Sequence, residues 1–474
     1  MCTACGTDPP ATSSSPATKP AQPSAVVPVA VPSPFVVPQG TQSLQLTRTV
    51  GVRLHPGDAS ERIGTIAVDT RVGWTGTAIA SGCRGAWVEI APKGWICSDY
   101  VTPSNKPPYG NEVPQLDRGE IVPGIYGKVT APRAFMYAID LTPHSRPGSA
   151  AHPRAAGVID RVGKSPRLRT RSAVVGSLNV RKYDQVTVDG ATYWRIAQSG
   201  NQYVPANAIT VHAVSPYAGG RLGDDTGWNV PIAFVWPRSG ALRAPTVAVP
   251  NGSNPIRQLT RRSLVPVLET FGEQGAAQAV RISAGEWILA SDIRVFRATP
   301  PPPSLLPGER WIDIDLDTQI LVAFEGEQPV FATMVSSGGQ HTPTETGLFR
   351  IWLKESEADM NGLNGEDPYS VATVPWTQFF SPIKGLELHA AYWHDRFGAA
   401  LSHGCINLAP RDARRLYYWS DPQVPPGWTS TQGLVEAPGS LIRIRSSADP
   451  NPEFKGYAKK VADLRASGAV AVQR

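Results

Sequence analysis

Proline limits what this chain can fold into before any other residue does. Each one fixes its own φ and removes a backbone donor, so dense runs cannot enter a helix interior or a central strand. Two runs are dense: one extends through residue 43 and is also rich in Ser, Thr and Ala, and the other is "TPPPPSLLPGE", Thr299–Glu309. We read residues 1–43 as a signal remnant and extended tether, and 301–308 as a linker. The chain of 474 residues is long enough for about three ordinary cores, all of which must lie outside these runs.

Between the two runs, short Val/Ile/Trp/Tyr stretches alternate with Gly, Asp, Asn and Pro turns, the pattern of small all-β modules. One element recurs as "GWICSDYV" (Gly94–Val101), "NQYVPANAITV" (Asn201–Val211) and "GEWILASDIRV" (Gly285–Val295). Each places an aromatic before an aliphatic, then a small polar turn, then a closing strand. The element resembles the last strands of bacterial SH3-like domains, as does "GVRLHPGDASERIGTIAVDTRVGWTG" ahead of the first copy. The resemblance implies SH3-like small β-barrel modules at 44–103, 104–215 and 216–300, serving to bind or space a cell wall. Trp95, Tyr203 and Trp287 read as core aromatics.

The formal charge of +6 is spread along the chain, with no basic stripe interleaved with aromatics, which argues against nucleic-acid binding. No apolar run approaches the roughly 20 residues of a membrane-spanning helix. The five cysteines fall into three groups. Cys83 and Cys97, in a strand-rich segment, have a spacing that suits a disulfide and hence an oxidising compartment. Cys2 and Cys5 open the chain as "MCTAC", which resembles the end of a bacterial lipoprotein signal. That resemblance implies lipidation at Cys5, the one route to a membrane.

The fifth cysteine lies in "SHGCINL", Ser402–Leu408. From Glu309 the pattern changes: Ile312, Ile314, Leu316 and Ile320, Val322, Phe324 alternate around "EGEQ" as a hairpin. "GLELHAAYW" puts His389 at the end of another strand, and Pro410 suits the first turn of a helix after Cys405. A cysteine becomes a nucleophile when a neighbouring base takes its proton, and His403, His389 and His394 are near in sequence. Gly404 admits close backbone approach, and its amide with that of Cys405 can hold a developing oxyanion. A zinc site built from the three histidines and Cys405 is disfavoured by the intervening Gly and the lack of a second cysteine, so no metal or organic cofactor is expected.

"HAAYWHDRFGAALSHGCINL", His389–Leu408, with "VSSGG" and "TPTETGLFRI" upstream and "SLIRIRS" downstream, resembles the L,D-transpeptidase (YkuD-type) catalytic domain over 309–446. The expected fold is therefore mainly β and multi-domain: SH3-like modules, then a YkuD-type mixed sheet with a short helix after the cysteine, then a tail at 447–474 with no assigned role. The resemblance implies that Cys405 is the acylated nucleophile and His389 the general base, oriented by the carbonyl of Ala390. It makes His403 and the Gly404 amide oxyanion supports, with Ser402 and Asn407 behind them. His394 reads as a loop residue. Residues 355–385 look like a lid, with Tyr369, Trp376, Phe379, Phe380, Tyr392 and Trp393 as walls of a substrate channel. The implied partners are peptidoglycan tetrapeptide stems in the bacterial cell envelope, with a neighbouring stem, a lysine of an anchored protein or water as acceptor, and the implied inhibitors are carbapenems. A thiol hydrolase and a non-catalytic wall-binding protein are the alternatives.

Overall fold

The computed structural model describes residues 35–130, 134–140, 167–174, 177–224, 226–273, 276–362 and 369–468. Cys2, Cys5 and the first 34 residues lie outside them. The described chain is mainly β, in several sheets, with two α-helices.

Ahead of residue 309 the same eight-strand order occurs three times. In the first unit Ser43–Leu46 pairs with both Arg71–Val72 and Val101–Ser104. Its other sheet runs Arg62–Ile66, Val50–Arg53, Trp95–Cys97, Trp87–Ile90, Trp74–Ala78. In the second unit Ile125–Val129 takes the central place between Ser177–Lys182 and Ile209–Val211, and in the third Ile232–Val235 lies between Leu264–Pro266 and Ile293–Phe296. Their five-stranded sheets repeat the order of the first. The recurring sequence element is the corner of each unit, where a 3₁₀ turn (Ser98–Tyr100, Ala206–Ala208, Ala290–Asp292) carries the chain from one sheet to the other. The aliphatic after each aromatic, Ile96, Val204 or Ile288, is fully buried and anchors its unit's core. Among the described residues no pairing closes a unit into a barrel. Cys83 and Cys97 are disulfide-bonded in the first unit.

The segment from residue 309 onward is built from β1 (Arg310–Asp315), β2 (Ile320–Glu325), β3 (Gln328–Met334), β4 (Gly347–Arg350), β5 (Leu353–Gly362), β6 (Tyr369–Ser381), β7 (Leu386–Ala390), β8 (Ile406–Leu408), α1 (Pro410–Trp419), β9 (Trp428–Gln432) and β10 (Leu441–Arg445). The β1–β2 hairpin heads a sheet ordered β3-β2-β1-β10-β4, extended beyond β3 by Gly220–Arg221. A second sheet is ordered β8-β7-β6-β5-β9. Ile312, Ile314, Trp376, Phe380, Leu388 and Ile406 fill the space between the sheets, and α1 adds Ala413, Leu416 and Tyr417. Pro410 opens α1, and the fully buried Lys354 closes it by donating to Tyr417 O (2.7 Å) and Ser420 O (2.6 Å).

Of residues 355–385, expected as a lid, 363–368 lie outside the described residues. The others form most of the long β5–β6 hairpin, and that hairpin is locked into a sheet shared with the front units. Ser177–Lys182 of the second unit runs parallel to β6, and Arg62–Ile66 of the first pairs with β9. The latter seam needs Gly64, since a Cβ there would lie 2.4 Å from the Trp428 ring. Beyond β10, α2 (Gly456–Ala466) buries Ala458 and Val461 and packs against β4.

Candidate active site

Strands β7 and β8 are parallel neighbours, with Leu388 opposite Ile406, His389 opposite Asn407 and Ala390 opposite Leu408. Continuing the register back by one residue sets Cys405 beside Glu387, and the Cys405 thiol donates to Gly385 O (3.9 Å). His389 and Glu387, two residues apart on β7, share a face. Two chain segments distant from each other in the text of the loop thus meet through one ladder.

The turn before β8 is held from below. Ser336 and Asn407 exchange backbone hydrogen bonds (3.0 and 2.9 Å), Ser402 N donates to Ser337 O (2.9 Å), and Thr344 Oγ1 donates to Gly404 O (2.7 Å). The upstream "VSSGG" and "TPTETG" stretches are therefore the bed of the cysteine loop. Gly404 has φ of +120°, which L side chains rarely adopt. Its amide donates to Ser402 Oγ (3.1 Å), and that hydroxyl donates to Cys405 O (2.5 Å). In the resting loop the amide expected to hold an oxyanion is occupied by Ser402.

His389 is buried, its Nδ1 lies 3.3 Å from Ala390 O, and its ring stacks on Trp393 with centroids 5.6 Å apart. Burial pulls its pKa down to about 4, partly opposed by the Ala390 carbonyl. It is neutral at pH 7, with Nε2 open to a proton when Nδ1 donates to that carbonyl. Cys405 is half-buried. Burial and then the Glu387 carboxylate push its thiol up, so the resting sulfur is protonated and attack must be coupled to proton removal.

Asn407 Nδ2 pairs with His394 Nε2 (3.0 Å), so His394 fastens its loop to β8. The third front unit grips the same loop: Arg262 makes a two-point contact with Asp395 (2.6 and 2.9 Å), and Arg294 donates to Gly398 O (2.5 Å). His403 is exposed.

Three expected channel walls are corrected. Trp376 is fully buried between the two sheets, because the alternation of β6 turns 376 and 380 inward, and Phe380 is buried with it. Tyr392 is also fully buried, stacked on Tyr126 of the second unit with centroids 4.0 Å apart. Phe379 and Trp393 remain half-exposed, and the Tyr369 side chain lies outside the described residues. Sequence reasoning missed Glu387, buried to 7% exposure with no hydrogen-bond partner for Oε2 among the described residues. A charged residue on an alternating strand reads as a solvent-facing one, and nothing in the motif marks it.

Residues 309–437 match the YkuD family, the L,D-transpeptidase catalytic domain. Among curated proteins none matches the chain. Similar solved structures include a mutant Enterococcus faecium L,D-transpeptidase, with 25% identity, 29% of this chain and 50% of that one covered, and a TM-score of 0.24. A Mycobacterium smegmatis L,D-transpeptidase has 20% identity, 37% and 79% coverage and a TM-score of 0.24. The E. faecium catalytic domain acylated by ertapenem has 28% identity, 26% and 95% coverage and a TM-score of 0.22. The chain thus spans half the length of the first of these. The similarity to L,D-transpeptidases is carried by residues 309–437, which match the YkuD catalytic-domain family.

Proposed function

We propose that the protein is an L,D-transpeptidase of peptidoglycan working through a Cys405 thioester. The observation that supports this most is the β7–β8 ladder, which sets a neutral buried His389 and a Cys405 thiol on adjacent parallel strands behind a glycine-shaped turn. Neutral His389 takes the thiol proton as sulfur attacks the carbonyl that precedes D-alanine in a tetrapeptide stem. It then gives the proton to the leaving amine, so D-alanine departs and the stem remains as a thioester. An amine attacks next. A diamino-acid side chain of a second stem gives a 3-3 cross-link, a lysine of an anchored protein gives attachment, and water gives hydrolysis.

The three front units serve as SH3-like wall-binding or spacing modules, a reading supported by their common strand order and shared corner element. The site of action is the cell envelope, with lipidation of Cys5 as the anchor. None of the described helices is long and apolar enough to cross a membrane.

The test is to incubate the full chain and its Cys405→Ala form with a disaccharide-tetrapeptide and identify products by mass spectrometry. D-alanine release and stem dimers from the parent chain alone are expected, together with an ertapenem adduct on Cys405. Release that persists in Cys405→Ala would overturn the mechanism.

A further inference from the structure

The structure shows a carboxylate pair beside Cys405 that the acylation step does not use. On β6, Thr377 faces Glu355 of β5, and Phe379 faces Glu387 of β7. Thr377 and Phe379 are two residues apart, so Glu355 and Glu387 lie on one face of the sheet, diagonally across β6, with Cys405 next along that face. Glu387 has 7% exposure, and its Oε2 has no partner among the described residues. A buried carboxylate normally finds a donor or a cation, since one left bare costs several kcal/mol. Burial and the like charge of Glu355 are what act on Glu387, and they raise its pKa to about 8. The cation acting on Glu355 is Arg62 of the first unit, whose guanidinium already donates to Gly64 O (3.3 Å) and Thr65 Oγ1 (2.5 Å).

Among the described residues no cation acts on Glu387, and the reaction supplies one. The amine that resolves the thioester arrives at neutral pH as an ammonium ion, and it cannot attack until it has lost a proton. We propose that Glu387, backed by Glu355, binds the ammonium group of the acyl acceptor and takes its proton. This inference rests on the transpeptidase reading above.

The step balances. An N–H proton passes to the Glu387 carboxylate, and the freed lone pair forms a C–N bond to the thioester carbonyl. The second amine proton goes to neutral His389, the C–S bond breaks, and His389 returns that proton to the Cys405 thiolate. The proton held by Glu387 leaves to solvent. With no cation beside it the carboxyl titrates near 8 and rests mostly protonated at pH 7; the arriving ammonium draws it into its charged form, and Glu387 then takes one amine proton and passes it to solvent before the next cycle. Water, which carries no charge to be held, gains nothing from the pair, so the pair selects aminolysis over hydrolysis.

The experiment follows the acyl-enzyme formed by the full chain with the disaccharide-tetrapeptide and measures how it divides between added nucleophile and water. Two nucleophiles are compared at neutral pH: Nα-acetyl-lysine, which is cationic, and hydroxylamine, which is neutral. The ratio is taken per acyl-enzyme, so it does not depend on how fast each variant acylates. In Glu387→Gln, partition to Nα-acetyl-lysine is expected to fall at least about ten-fold relative to partition to hydroxylamine, through a higher acceptor KM. Glu355→Gln, which leaves Glu387 in place, should move the ratio in the same direction by about three-fold and serves if the first variant does not fold. Equal loss or no loss for the two nucleophiles in the folded variants overturns the inference while leaving the transpeptidase intact. Absence of D-alanine release from the parent chain overturns both.

Discussion

His389 loses its charge to burial, and that sets the pH range in which it can work. With its pKa near 4, the donor kcat/KM should keep its acid limb near that value, well below the 6.5 of an ordinary imidazole. A limb at 6.5 would mean that the free enzyme's base lies elsewhere. His389→Ala should lower D-alanine release by at least about a hundred-fold. Stability carries a separate signature. Glu387 has a folded pKa raised from 4.5 to about 8, so the folded state holds a proton that the unfolded chain has released, and this contribution is lost as pH rises through that window. Asp412, raised to about 6, adds the same sign over its narrower window, whereas the depressed His389 and His394 weaken the fold as pH falls from 6.5 toward 4. Melting curves should therefore show the parent chain losing more Tm between pH 5 and 8 than Glu387→Gln does, and equal losses would mean that the carboxyl is not held protonated. The roles proposed for Cys405 and His389 could be read from the sequence, because such chemistry depends on residue type within a short motif. That of Glu387 could not, because its burial depends on β5 and β6, which the strand pattern of "GLELHAAY" does not register.

At the scale of elements, the corner that ends each front unit was readable as a repeated aromatic, aliphatic and polar-turn signal, since all three roles are local. The common eight-strand order was not, because sheet order depends on pairings between strands far apart in sequence. The β5–β6 hairpin shows the same limit: its pairing with Ser177–Lys182 on one side and β9 on the other depends on strands far away in sequence. The disulfide is a local staple with a measurable effect. Reducing Cys83–Cys97, or replacing both with Ser, should lower the stability of the first unit by about 3 kcal/mol, read as a shift in denaturant midpoint. Gly404 makes a second element-level case. Its φ of +120° resists any side chain, so Gly404→Val should disturb the Ser402–Cys405 turn and remove acylation while the far-ultraviolet spectrum of this largely β chain is retained.

Across the whole molecule, the catalytic sheet is continuous with the units on either side. It runs from Ile209–Val211 of the second unit through β6, β5 and β9 to Trp74–Ala78 of the first. The third unit joins by gripping the 394–398 loop through Arg262 and Arg294. Residues 309–446 expressed alone would leave β9 and the first three residues of β6, Tyr369, Ser370 and Val371, as bare edges, and exposed edges template aggregation. Gel filtration should find that fragment aggregated, and a monodisperse, active fragment would show the front units to be dispensable. The seam between the first unit and β9 also has a bearing on biogenesis. Ser430 Oγ donates to Thr65 Oγ1 (2.9 Å) across 365 residues of chain. The portion of the polypeptide that a ribosome makes early therefore waits for one of the last strands to be made, and pairings so distant form slowly. Until Trp428–Gln432 emerges, the nascent chain carries an open sheet edge, so a holding chaperone or delivery in an unfolded state would have most to protect at Arg62–Ile66.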